Sequence, residues 1–189
     1  MTVLIFCLTA LCGLPDMAQI CISPAVQAVE EAIEVRTQAY SLQVLQVRSA
    51  MGVCAGGKEH LTELMELWDQ DSYQIADAIL RGAKANKVDP LVMVALAWRE
   101  SNFYLKAKGD KKDGKFRSHG PTQVRVDFKG RPTMEQLQNP YFAFEWSAKY
   151  IKANGLASWN GRTQAKAVQE RADKLRQTLL RMAVLTGET

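Results

Sequence analysis

The chain has 189 residues, 47% of them hydrophobic and 23% charged, with a net charge of +4. That length fits one globular domain plus an extension, and the composition is ordinary for a soluble globular protein. The mild basicity suits an anionic partner, but the lysines and arginines are dispersed and no aromatic-basic module appears, which argues against nucleic acid.

Residues 3–14 form an uncharged apolar run. It is shorter than the roughly 20 residues that a membrane-spanning helix needs, and it has the length of the apolar region of a secretory signal. Residues 1–18 therefore read as a signal cleaved after Ala18, which places the mature chain in the periplasm or cell envelope; the alternative is an N-terminal helix docked on the core. No Lys or Arg precedes the run, and Asp16 is not a small residue. Of the four cysteines, Cys7, Cys12, Cys21 and Cys54, the last two would remain after cleavage. In an exported protein they form either a disulfide or two buried thiols. There is no Cys-x-x-Cys, and His60 and His119 lie far apart, so neither a metal nor any other cofactor is implied.

Residues 24–51 are predicted to form a long helix. Pro24 suits its first turn, Val26, Val29, Ile33, Tyr40, Val44 and Val47 recur at helical spacing, and Gly52 with Gly56-Gly57 punctuates its end. Residues 19–57 thus make an N-terminal helical extension, and residues 58–189 a domain. A second helix spans about 58–69, with Leu61, Leu64, Met65 and Trp68 on one side. A third spans about 73–85, with Ile75, Ile79 and Ala83 inward and Ser72 as candidate cap.

The central stretch begins at Asp89-Pro90, a good N-cap followed by a proline suited to the first helical position. The helix that follows is apolar on nearly every side, as helices buried in a domain are, yet it ends on Glu100. Desolvation there would disfavour the carboxylate and leave a general acid; the alternative is a solvated residue at a helix end. Residues 106–115 are polar and glycine-bearing, and predict a solvated loop or short hairpin over a cleft. Gly120-Pro121-Thr122-Gln123 then permits close backbone approach and offers an amide with both donor and acceptor.

Thr133 and Gln136 form a capping-box pair. Asn139-Pro140 opens a further helix whose Phe142, Phe144, Trp146, Tyr150 and Ile151 supply core aromatics and aliphatics. Tyr150 and the later Trp159 are the candidates for flat aromatic faces turned to a ligand rather than to packing. Residues 163–185 predict an amphipathic helix with Ala167, Ala172, Leu175, Leu179 and Met182 inward. Closely spaced amphipathic helices of this kind predict a mainly α domain.

Several of these segments together resemble the soluble lytic transglycosylase family, in motif and in order: Glu100-Ser101-Asn102-Phe103, Gly120-Pro121-Thr122-Gln123-Val124, Asn139-Pro140, Tyr150-Ile151 and Trp159-Asn160-Gly161. The resemblance covers roughly residues 73–165 and leaves the N-terminal helix outside it. That helix packs on the domain or contacts a secretion, conjugation or virion assembly. Pro121-Thr122 replaces the family's Leu-Met, the loop from Glu100 to Gln123 is longer than the compact pattern, and the usual Pro-x-Thr after the glutamine is absent. Trp159 stands where the family usually has Tyr, so an indole donor replaces a phenolic hydroxyl.

The resemblance implies a lysozyme-like helical domain with a small loop or hairpin lobe over the cleft. It implies cleavage of the MurNAc-β-1,4-GlcNAc bond of peptidoglycan strands, with formation of 1,6-anhydro-MurNAc ends. Glu100 would be the catalytic acid and base, and Ser101, Gly120, Gln123, Tyr150, Trp159 and Asn160 would bind or orient the substrate. A goose-type lysozyme, which resembles the same fold but directs a water with aspartates, would use Asp110, Asp113 or Asp127. A reading from another class is a non-catalytic wall-binding or assembly subunit.

Overall fold

A computed structural model describes residues 24–186. The apolar run of residues 3–14, the expected cleavage site, Cys7, Cys12 and Cys21 lie outside the described residues. The architecture is mainly α, with a small antiparallel sheet of order β1-β2-β3. The chain divides into two compact units, Met1–Thr37 and Gln38–Thr189. In the first, the described residues are helical, and Val26, Val29 and Ile33 are exposed.

Helix α1 (Pro24–Ala55) is longer than the sequence pattern predicts, because it continues through Gly52. The reversal comes at Gly56, whose φ of 89° suits glycine. The Gly57 N–H then donates to the Gly52 carbonyl at 2.9 Å and satisfies the helix end. Helix α2 (Lys58–Leu67) buries Leu61 and Met65. Helix α3 (Ser72–Asn86) is capped by Asp71 rather than by Ser72: the Asp71 carboxylate accepts from the Tyr73 N–H at 2.8 Å. Ser72 is buried instead, and its hydroxyl oxygen accepts from Arg48 Nε at 2.8 Å.

Helix α4 (Pro90–Ser101) follows the predicted start, with the Asp89 carboxylate accepting from the Leu91 N–H at 2.9 Å. Val92 through Ala97 are all buried. Strands β1 (Lys108–Lys112) and β2 (Lys115–His119) form a hairpin in which Lys112 faces Lys115. The two-residue turn is Asp113-Gly114, both with positive φ, as such tight turns require. Strand β3 (Val124–Arg125) pairs with β2 through Ser118–Arg125 and His119–Val124.

Helix α5 (Met134–Gln138) carries the expected capping box, with Thr133 and Gln136 each bonding the other's backbone. Asn139 caps α6 (Pro140–Asn154) through the Phe142 N–H at 3.2 Å. A short helix the periodicity does not reveal, α7 (Ala157–Asn160), precedes α8 (Arg162–Thr186).

The core surrounds α4. Ile75 and Ile79 of α3, Phe144, Ala148 and Ile151 of α6, Val168, Ala172 and Leu175 of α8, and Val47 and Met51 of α1 share one buried cluster with it. Met182 is exposed rather than inward. A second, smaller cluster of Val124, Leu137 and Ala143, with Trp146 and Trp159 packed against it, joins the sheet to α5, α6 and α7.

Candidate active site

The C-terminal end of α4 leads into the site. Asn102 and Phe103 both take left-handed backbone conformations, with φ of 55° and 71°. For a bulky residue such as Phe103 this is a strained arrangement. Its ring is completely buried. Gln70 spans the turn, donating to the Phe103 carbonyl at 3.2 Å and accepting from the Leu105 N–H at 2.8 Å. The strain therefore sits next to Glu100 and is held in place by packing and by a bridging amide.

Facing the end of α4 is the turn Gly120-Pro121-Thr122-Gln123, fixed from three helices. Ser101 of α4 donates to the Pro121 carbonyl at 2.8 Å. The fully buried Thr122 hydroxyl shares a 2.7 Å hydrogen bond with Ser147 of α6. Trp159 of α7 donates its indole N–H to the Thr122 carbonyl at 3.2 Å. Gly120 has a φ of 77°, and a Cβ there would lie 2.8 Å from the Leu137 carbonyl oxygen, so both conformation and space call for glycine.

Between the turn, the sheet and the helices lies a cleft of about 410 Å³. Its walls include five of the residues singled out in the sequence: Glu100, Asp110, Gln123, Tyr150 and Trp159. Glu100 is half-buried. Gln123 turns its amide N–H back to the Gly120 carbonyl at 3.0 Å. Its Oε1 lies over Gly109 of β1, where any Cβ would come within 2.1 Å. Tyr150 stacks on Trp146 at 5.5 Å between ring centroids and meets the edge of Trp159 at 5.3 Å. Ser101 and Gly120 do not line the cleft; they hold the turn that forms its wall. Asn160 ends α7, and its side chain lies outside what is described.

The three aspartates part company. Asp110 lines the cleft and accepts a hydrogen bond from the Ser118 hydroxyl. Asp113 sits at the exposed hairpin tip, 3.6 Å from Arg117. Asp127 is bound by both Arg125 and Arg117, and the Arg125 hydrogen bonds hold its carboxyl below the usual carboxylate range. Among the described residues the buried Cys54 has no disulfide partner, and burial pushes its thiol pKa up despite Arg171 beside it. Its expected partner, Cys21, is outside the described residues.

Sequence reasoning did not single out Arg125, Phe128, Arg131, Ser158 or Gln164, all of which line the cleft. Arg131 stands over both Tyr150 and Trp146, at 4.7 and 5.1 Å. No local pattern marks these residues, since they meet only through tertiary folding. Among the described residues no three side chains of metal-ligating type come together. Compared with protein-family models, curated proteins and solved structures, the chain matches none.

Proposed function

We propose that this chain is a peptidoglycan lytic transglycosylase with a lysozyme-like catalytic domain. One observation carries the reading: Glu100, Gln123, Tyr150 and Trp159, from separate motifs along the chain, line a single cleft. Glu100 stands at the end of a rigid, buried helix, as positioned acid–base chemistry requires. The aromatic wall supplies flat apolar faces for sugar rings. The helical body with a small antiparallel sheet beside the cleft also supports the lysozyme-like reading.

In this proposal Glu100 protonates the glycosidic oxygen as the bond to the muramyl C1 breaks. The substrate's acetamido group stabilises the positive centre. Glu100, now a carboxylate, takes the proton from the muramyl C6 hydroxyl, whose oxygen bonds to C1. The products are a free GlcNAc hydroxyl and a 1,6-anhydro-MurNAc end, with no water consumed. Trp159 is tied to the Thr122 carbonyl, so it acts as a wall and a brace rather than as a donor to the acid. The peptidoglycan substrate in turn supports export to the periplasm or envelope, for wall remodelling or for service in a secretion, conjugation or virion assembly.

A second reading has one observation in its favour. Asp110 lines the same cleft as Glu100, and a carboxylate there can direct a water to C1, giving hydrolysis. Mass spectrometry of purified peptidoglycan digested by the protein and by Glu100→Gln separates the two. Anhydro products, lighter by one water than lysozyme muropeptides and absent with the variant, are expected. Reducing ends would establish the hydrolase and assign the second role to Asp110. No soluble product from folded protein would overturn both readings and favour a non-catalytic wall-binding subunit.

A further inference from the structure

Two arginines line the cleft, and they are in different states. Arg125 is tied to Asp127 through both Nε and a terminal nitrogen. Arg131 is half-buried and has no carboxylate within ion-pair distance among the described residues. Its guanidinium is held instead over the rings of Tyr150, at 4.7 Å, and Trp146, at 5.1 Å. Its backbone is fixed as well, since the Arg131 N–H donates to the Phe128 carbonyl at 3.2 Å.

Ring faces stabilise a cation without using its N–H donors. A stacked guanidinium is therefore oriented while its donors stay available for a planar, bidentate acceptor. Partial removal from water strengthens whatever ion pair forms there. The arrangement is that of a preorganised carboxylate receptor on the wall of the cleft. Arg125 does not compete for the role, because Asp127 already occupies its fork.

We infer that Arg131 forms a carboxylate-binding subsite and that its ligand is a free carboxylate on the peptide stems of the glycan strand. This rests on the reading of the chain as a peptidoglycan-cleaving enzyme. A muramyl residue placed at Glu100 carries its stem through the lactyl group, so stem carboxylates enter the same cleft. The subsite would make the enzyme prefer strands with anionic stems over strands whose stems are neutral.

The test uses two preparations of the same soluble glycan strands, one native and one with its stem carboxylates converted to amides. Wild type is expected to cleave the amidated strands with kcat/KM lower by about tenfold or more, chiefly through KM, as loss of a charged hydrogen-bonded pair implies. Arg131→Gln is expected to cleave both preparations at one low rate, and Arg131→Lys to recover only part of the preference, since it keeps the charge but not the fork. Binding is measured separately in the Glu100→Gln protein by tryptophan fluorescence, for which Trp146 and Trp159 are adjacent reporters. There the native strands should bind about tenfold more tightly than the amidated ones, and Arg131→Gln should abolish the difference. Cleavage without carboxylate preference, or preference that survives in Arg131→Gln, overturns the subsite and leaves the enzyme reading standing. Preference in binding without cleavage by wild type keeps the subsite and overturns the enzyme reading. Neither binding nor cleavage by folded protein overturns both.

Discussion

At Gly109 a side chain would place its Cβ 2.1 Å from Gln123 Oε1. The obstructing atom is the far end of a flexible side chain rather than backbone, and Gly109 pairs with Ser118 in the antiparallel ladder of β1 and β2, just before the left-handed Asp110. Gly109→Ala should therefore move the Gln123 amide and leave the strand where it is. Stability is expected to change by less than about 0.5 kcal/mol, the usual range for surface substitutions. The turnover of peptidoglycan should fall by up to about a hundredfold, the scale of effect that a small misplacement in a site can produce. Thermal unfolding and kcat/KM, measured on the same samples, check the two halves of this prediction. Full activity in Gly109→Ala would remove Gln123 from the working part of the site. The same geometry explains which site residues can be read from sequence. Glu100 stands out because a carboxylate on an apolar helix is a local anomaly, and Gln123 because it ends a glycine-proline turn. Arg131 has no local oddity at all; its significance comes from two rings that are 15 and 19 residues further along the chain.

At the scale of elements, helix starts were the most legible features, because capping depends on side chains a few residues apart. Asp89-Pro90, Thr133 with Gln136, and Asn139-Pro140 all act as their chemistry predicts. Helix ends were less so. Gly52 reads as a stop, yet its place in α1 is ordinary and the chain turns at Gly56 instead. Tertiary packing of Ala50, Met51, Cys54 and Ala55 overrides the weak penalty for an internal glycine. Gly82 in α3 is a different case. A Cβ there would lie 2.8 Å from both the Phe144 carbonyl carbon and the Glu145 nitrogen, so α3 and α6 touch backbone to side-chain-free backbone. In an isolated helix Gly→Ala would gain about 1 kcal/mol. Here the obstacle is backbone that cannot swing away, and the helices must separate. Gly82→Ala is expected to destabilise by about 1–3 kcal/mol, the usual penalty of overpacking. A lower urea midpoint with an unchanged slope is the signature to look for. An unchanged or higher midpoint would mean that α6 shifts without loss.

At the scale of the whole site-bearing unit, one carboxylate ties three helices together. Asp77 of α3 accepts from the Tyr40 hydroxyl of α1 at 2.7 Å and from the Tyr141 hydroxyl of α6 at 2.9 Å, and Arg81 pairs with it at 2.9 Å. Helix α6 is thus pinned at its first turn by Tyr141, and it presents Tyr150 to the cleft near its other end. The junction sets the pose of the helix that carries the aromatic wall. Burial pushes the Asp77 carboxyl up, but hydrogen bonds from Tyr40, Tyr141 and Arg81 outweigh it and hold the carboxyl below its ordinary 3.8. Burial first, and then the Asp77 carboxylate, push both phenols above their ordinary 10.0, against the opposing pull of Arg81. A carboxyl whose pKa is lower in the folded state stabilises the fold above its unfolded value, and that contribution is lost as pH falls through the folded one. Phenols whose pKa is raised contribute fully below their unfolded value and lose that contribution as pH rises through the folded one. The junction is therefore intact across neutral pH and weakens at both extremes. Asp77→Asn removes the charge but keeps the shape and one oxygen acceptor. It should be less stable than wild type at neutral pH, and the gap in urea midpoint should close as pH drops from about 5 to about 2. All other carboxylates titrate in both proteins, so the difference isolates Asp77. A gap that stays constant through the acid range would show that the charge on Asp77 does not hold the junction together, and that the tyrosines bind it as they would a neutral acceptor.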